Sequence, residues 1–394
     1  MKYTKEEHPV VVNWLHKFSI SEKDEDVVSC IEKALEEFSP GHASYVEYEK
    51  RIVKLYKQGF VPINMLLKQY NGDLRRLFAF ASEHKLHIAL GNQKMLMESC
   101  RKMGDSVVVD ALTLVIIAYH NCLSVLEGFS HVYVNYKSIA TVQQLFICYG
   151  LACLSDILQW FQEADNIIFE PDGFVDDDDR IAELFSADFV ACCSIASTYK
   201  IPYLYCDLAA FNFQRVPGIG LPLDVEFVSI SAACYKVFAK EQERLQDSLY
   251  NLLKDSTFIN FRAETILHQI RKQNYCVSAE LMAPFMFCTT SCDMHSFANV
   301  YLSAIEVLRD EWRDAAIALA EIVLLDSTKI WKRGTYYRRL VERDENLEAY
   351  NKATAITKYV QEILSGIELI FGEVPDKFVI SFEALSDEVS QIDV

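Results

Sequence analysis

Three consecutive valines, Val107 to Val109, end on Asp110, and the chain runs straight on into Leu112, Leu114, Val115, Ile116, Ile117 and Ala118. A short β-branched run followed by an apolar helical run is the pattern of a strand feeding a helix, with both faces of the strand covered, as in a parallel sheet. An aspartate at the carboxyl tip of such a strand loses its hydration, so it must be neutralised, hydrogen-bonded or bound to a cation. It either caps the helix that follows, by accepting from free backbone amides, or belongs to a site. Asp110 is therefore the first candidate residue of the chain.

The segments after residue 104 repeat that alternation. Residues 107–110 read as a strand, 111–126 as a helix, 131–134 as a strand and 138–161 as a helix. After an acidic stretch come helical segments at 181–185 and 188–199, then strands at 203–206 and 225–230. Strands separated by helices predict βαβ units and a parallel sheet, with ligands at the carboxyl ends of its strands. Both flanks read as helical instead. Apolar spacings of three and four mark residues 10–18, 24–38, 44–56, 62–70 and 74–82 on one side, and 231–255, 261–274, 296–326 and 347–370 on the other. Glu306 with Arg309 and Asp310 with Arg313 stand at helical ion-pair spacing, and Lys377 to Phe382 reads as a late strand. The expected fold class is α/β plus α: a helical N-terminal region (1–103), an α/β domain on a parallel sheet (104–235) and a helical C-terminal region (236–394).

With 394 residues, 51% of them apolar and 24% charged, the chain is long enough for two or three folded domains. Its charged first residues precede no hydrophobic stretch of signal-peptide length. The longest apolar run, 107–118, falls short of the roughly 18 residues of a membrane span, so a cytoplasmic protein without a membrane partner is expected. Twelve cysteines scattered through apolar segments fit buried thiols in a reducing compartment, with no structural disulfide. The net charge of −18 excludes a protein that coats nucleic acid nonspecifically. Between Gly104 and Tyr235, 17 Asp and Glu face only Lys137, Arg180, Lys200 and Arg215, so this region alone carries −13.

Two further aspartates stand where a parallel sheet brings them towards Asp110. Asp188 opens the helix 188–199, where an acid also complements the helix dipole, and Asp207 follows the strand 203–206. Carboxylates crowded together repel one another unless a divalent cation joins them, and oxygen donors suit Mg²⁺ or Mn²⁺.

The runs VVVDALTLVIIA, HVYV with its following helix, SADFVACCSIAS, PYLYCDL and DVEFVSIS resemble, in that order, the segments of a PIN-like nuclease domain over residues 104–235. The resemblance implies a Rossmann-like parallel sheet and a metal-dependent nuclease acting on RNA or DNA. Asp110, Asp188 and Asp207 take the positions of its Mg²⁺ or Mn²⁺ ligands and catalytic acids. The sequence departs from that pattern in three places. No acid occurs in 138–146, where Gln143 is the nearest polar group; Thr113 is the nearest hydroxyl after Asp110; and Cys206-Asp207 offers one carboxylate where relatives sometimes have two. Those departures define the alternative: a catalytically degenerate PIN-like domain serving as a scaffold or protein-interaction module, with the helical flanks binding a protein partner.

Other features carry less. Asp176 to Asp179 lack the alternating ligand spacing of a calcium loop and read as a solvated acidic insertion. Cys288, Cys292 and His295, with Cys276, lack the close pairing of a zinc site. Gly218 and Gly220 open no helix and form no nucleotide fingerprint. The most basic stretch interleaves Lys332, Arg333, Arg338 and Arg339 with Trp331, Tyr336 and Tyr337. That composition can hold phosphates and stack bases, but it reads first as a packed helix whose arginines pair with Glu342, Asp344 and Glu345.

Overall fold

The computed structural model describes residues 62–70, 73–83, 88–89, 93–171, 185–206, 225–254, 256–257, 261–286, 294–344 and 347–390, with a few helical positions between 47 and 56. Met1–Val61 clusters as one unit and Pro62–Val394 as another. The second unit opens with α1 (Ile63–Gln69) and α2 (Leu74–Glu83), then β1 (Ile88–Ala89) and α3 (Gln93–Lys102). The helices expected at 10–18 and 24–38 lie outside the described residues.

The centre is a five-stranded parallel sheet. Its strands are β2 (Ser106–Val109), β3 (His131–Asn135), β4 (Ile167–Glu170), β5 (Tyr203–Tyr205) and β6 (Phe227–Ser229), in the spatial order β4-β3-β2-β5-β6. Val109 lies opposite Val134 on one side and Leu204 on the other. The chain builds outward from β2 to β3 and β4, then returns to place β5 on the other side of β2. The order of strands therefore reverses between β2 and β5, which opens a crevice at their carboxyl ends. Asp110 follows one of those two strands and Cys206 the other.

Short capped helices connect the strands. After β2 comes α4 (Ala111–Tyr119), which stops where Asn121 adopts φ 55°, and a 3₁₀ turn, Leu123–Gly128, leads into β3. Next are α5 (Tyr136–Tyr149) and α6 (Ala152–Glu163). The single helix expected over 138–161 is thus two, because Gly150 takes a left-handed φ of 59° and closes α5 with its amide on the Phe146 carbonyl. Past β4, α7 (Ala187–Tyr199) packs directly on β2, β3 and β5. Strand β4 itself has no counterpart in the sequence reading. It is four residues long and only half-buried, so it carries little of the apolar signal that marks an inner strand.

The core beneath the β5 side is aromatic. Phe189 of α7 lies 4.7 Å, centroid to centroid, from Phe185, 5.5 Å from Tyr203, 5.2 Å from Tyr205 and 6.0 Å from Phe227. All five rings are buried.

After β6 come α8 (Ile230–Val237), α9 (Gln242–Leu253), β7 (Ser256–Thr257), α10 (Ala263–Lys272) and α11 (Ala279–Met286). β7 pairs in parallel with β1, and α3 packs against β6 and α8, so segments before and after the sheet close around it. Three long helices, α12 (Met294–Glu311), α13 (Arg313–Asp344) and α14 (Leu347–Phe371), pack on one another, and α15 (Val379–Ser390) lies against the last two. The late strand expected at 377–382 is corrected to the start of α15. Phe378, Phe382, Leu385 and Val389 are buried at spacings of three and four while Ile380 is 80% exposed, so the helical period outweighs the short alternation. The expected Asp310 and Arg313 pair is also separated, since α12 ends at Glu311; Arg309 instead contacts the adjacent Asp310 and donates to the Ile370 carbonyl.

Gly128 precedes β3 where only a hydrogen fits. A Cβ there would sit 2.4 Å and 2.5 Å from the two methyls of Val237 and 2.9 Å from its Cβ. Val is stiff at χ1, so Gly128→Ala is expected to cost about 1–3 kcal/mol. A shift of the urea midpoint measures it, and an unchanged midpoint would show that α8 moves aside freely.

Candidate functional site

Asp110 and Asp188 meet at the first turn of α4. Asp110 is the N-cap of that helix: its backbone is extended and its Oδ1 accepts from the Thr113 amide at 2.8 Å. Asp188 reaches the same turn from α7. Its Oδ2 accepts from the Ala111 amide at 3.0 Å, and its Oδ1 from the Ser138 hydroxyl at 2.5 Å. Asp188 does not cap its own helix. Ser186 does that, its hydroxyl accepting from the Phe189 amide, which frees the carboxylate two residues on to point across the sheet edge. Two acids 78 positions apart in the chain thus share one helix terminus, where free amides and the helix dipole favour negative charge.

The surroundings oppose that charge. Asp110 is 1% exposed. Burial pushes its carboxyl above the usual range, and the hydrogen bond from Thr113 only partly offsets this. Asp188, partly covered, is pushed up to about 7, first by burial and next by the charge of Asp110. Each acid thus opposes the ionisation of the other. Around them, Cys192 Sγ lies 3.8 Å from the Val109 carbonyl and 4.0 Å from Asp188 Oδ1, and burial with the neighbouring acids drives its thiol well up. The Tyr203 hydroxyl is buried and feels the charge of Asp110; among the described residues neither it nor the buried Thr113 hydroxyl makes a hydrogen bond.

Sequence reasoning missed Ser138. It sits in the first turn of α5, in the segment where no acid occurs, and its hydroxyl holds Asp188. The signal was positional: Asn135 caps α5, which places residue 138 in the first turn, pointing at the same strand ends. Asn64 was also missed. Its buried Oδ1 accepts from both the amide and the hydroxyl of Ser186, at 3.0 Å and 2.7 Å, and so fixes the start of α7 from a helix 122 residues earlier. A lone asparagine in an apolar helix gives no sign in sequence of what it will meet.

The remaining candidates are placed as follows. Thr113 contributes its amide to Asp110, whereas Gln143 is exposed on α5 and makes no described contact with either acid. Asp207, the acidic run at 176–179, Gly218, Gly220, Cys288 and Cys292 lie outside the described residues, as does the side chain of His295. Lys332 and Arg333 are exposed on α13; the side chains of Arg338 and Arg339 are not among those described. Trp331, immediately before them in the chain, is 4% exposed and donates its indole N–H to Glu388 at 3.0 Å, so it packs rather than offering a face to a base. Among the described residues no three His, Cys, Asp or Glu side chains converge as a metal cluster, and no helix is long and apolar enough to cross a membrane.

Ser138→Ala removes a charge-assisted donor. It is expected to cost about 1–2 kcal/mol at pH 8, where Asp188 is ionised, and less at pH 5, where it holds a proton. Urea denaturation at the two pH values decides it; an equal cost at both would show that the hydroxyl does not act on the ionised carboxylate.

Comparison with known proteins finds no counterpart: no family model, curated protein or solved structure matches the chain significantly.

Proposed function

We propose that residues 104–235 form a Rossmann-like, PIN-like domain acting as a divalent-metal-dependent nuclease, with RNA as the leading substrate class. The observation that carries this reading is the pair Asp110 and Asp188, two carboxylates packed together in low dielectric at the point where the sheet's strand order reverses. A structural role for an N-cap needs one acceptor. A second, part-buried acid at the same turn, raising the ionisation cost of both, is the kind of arrangement retained for function.

The donor set fits Mg²⁺ or Mn²⁺, being hard oxygens from two adjacent acids whose repulsion a cation relieves. Asp110 and Asp188 would hold it, joined in this proposal by Asp207, and when bound it would polarise a phosphodiester and lower the pKa of a water. The chain's own residues prepare the site. The Thr113 and Ala111 amides and the Ser138 hydroxyl fix the two carboxylates in single orientations, so little ordering remains when a ligand arrives. Lys332 and Arg333 are the candidates for phosphate attraction that the −13 domain lacks.

A degenerate scaffold remains the second reading, because Ser138 stands in the helix where the pattern has an acid and already satisfies Asp188. Cleavage of a fluorescent single-stranded RNA with Mn²⁺ or Mg²⁺ distinguishes the two. The wild type is expected to cut and Asp110→Asn, which keeps the N-cap, to lose at least about a hundredfold in rate. Absence of cleavage of both RNA and DNA by a folded wild type, with no shift of its melting temperature on adding Mn²⁺, would falsify the nuclease reading and leave the scaffold.

A further inference from the structure

Two exposed aromatic rings stand at the same end of the sheet as the acid pair. Register places Val109, Val134 and Phe169 at one level on three adjacent strands, so Phe169 lies two strand spacings, about 10 Å, from the strand that leads into Asp110. Tyr136 follows the carboxyl end of β3 as the first residue of α5. The two rings stack, 22° from parallel with centroids 6.3 Å apart, and Phe161 of α6 meets Phe169 edge-on at 6.0 Å and 71°. Neither ring belongs to the core: Tyr136 is 54% exposed and Phe169 37%. Aromatic rings oriented by their neighbours and left open to water present a π-face to a ligand.

Charge near the rings selects the ligand. Lys137 stands between Tyr136 and Ser138, the residue whose hydroxyl holds Asp188, so the ring, a cation and the support of the acid pair occupy successive positions of one helix start. Lys137 is one of only four Lys and Arg in residues 104–235, and its charge favours the ionised form of Asp188, against the burial that opposes it. The acid next to Phe169, Glu170, is engaged elsewhere: it accepts from the Tyr199 hydroxyl of α7 at 2.8 Å. Flat rings beside a lysine match the bases and phosphates of a nucleic acid strand, and only an unpaired strand has base faces to give. Stacking does not depend on net charge, so it supplies affinity that a region carrying −13 cannot draw from cations.

We propose that Tyr136 and Phe169 form a base-stacking subsite, which takes an unpaired base of a single-stranded RNA and sets the adjoining backbone beside Lys137 on its way to Asp110 and Asp188. The proposal rests on the nuclease reading for its ligand. It is tested through binding without metal, whereas that reading is tested through cleavage.

The probes are a fluorescein-labelled adenosine hexanucleotide and an abasic hexanucleotide of the same backbone, each titrated with the full chain in EDTA and followed by anisotropy. The wild type is expected to bind the strand with bases about tenfold more tightly than the abasic one. Tyr136→Ala, with its far-ultraviolet circular dichroism intact, is expected to lose about that tenfold and to bind the abasic strand as the wild type does, while Tyr136→Phe keeps the preference. Tyr119→Ala removes a 60% exposed ring from the far end of α4 and is expected to change neither affinity. Equal binding of the two probes, no binding of either, or equal losses in Tyr136→Ala and Tyr119→Ala overturns the proposal and leaves the rings to a protein partner. Cleavage with Mn²⁺ by Tyr136→Ala at an unchanged KM would remove the subsite and keep the nuclease. Base-dependent binding by a wild type that cuts nothing would keep the subsite and remove the nuclease.

Discussion

Replacing Asp188 by asparagine is expected to stabilise the metal-free protein at pH 8 by about 1–3 kcal/mol and to remove any stabilisation by Mn²⁺. The sign follows from linkage. In the unfolded chain Asp188 ionises near its ordinary value of 3.8, and in the folded protein near 7. Between those values the folded state binds more protons, so stability falls as pH rises from about 4 to about 7 and stays low above that. Asparagine does not titrate, so this part of the slope disappears. The variant should match the wild type near pH 4 and exceed it most above pH 7. Its amide keeps the shape, with the carbonyl oxygen accepting from Ala111 and the NH₂ facing a Ser138 hydroxyl that can reverse its role. Urea denaturation across pH 4–8, with and without Mn²⁺, checks both halves. A loss of stability at pH 8 in the absence of metal would mean that the carboxylate is a net stabiliser, and the case for a strained functional pair would collapse. A site kept at the expense of stability is the usual signature of chemistry or binding.

Phe189→Ala is expected to cost about 3–5 kcal/mol, a large fraction of the stability of a domain of this size. Phe189 is fully buried, at the centre of Phe185, Tyr203, Tyr205 and Phe227, and its removal opens a cavity that these rings cannot all relax into. The consequence reaches the site because Asp188 precedes Phe189 on α7 and Tyr203 stands beside Asp110. Phe169→Ala is the control: that ring is 37% exposed and its loss should cost less than about 1 kcal/mol. Denaturation midpoints for the two variants give the comparison. A cost for Phe189→Ala no larger than that of the control would show that the aromatic cluster is not the core of the sheet.

The parallel sheet was legible because β2, β5 and β6 are buried on both faces and written almost wholly in apolar letters, VVV, YLY and FVS. Asp110 was legible for the same reason, as a charge that interrupts such a run. Helix ends inside long apolar stretches were not. The break at Gly150 depends on one residue adopting positive φ, and glycine permits that without requiring it. The edge strand β4 escaped because only half of it is covered. Within the site, sequence supplied the acids, whose burial is costly wherever it occurs, and not the neutral groups that serve them. Ser138 and Asn64 acquire their roles only from contacts 50 and 122 residues away along the chain. The alternative role for Asp110, a helix cap, is realised in the structure, and it coexists with the second acid at the same turn.

That shared turn has a kinetic consequence. Two amide protons at the start of α4, on Ala111 and Thr113, are each held by a carboxylate, and the two carboxylates arrive from segments that meet only when the sheet is assembled. Exchange of the Ala111 proton with solvent deuterium therefore requires the closure between β2 and α7 to open, whereas the Thr113 proton, held by the cap of its own helix, is released when the end of α4 frays. Measured against Thr113, the Ala111 proton acts as a clock on the acid pair, reporting from the backbone how often the site comes apart and how strongly anything bound there slows it.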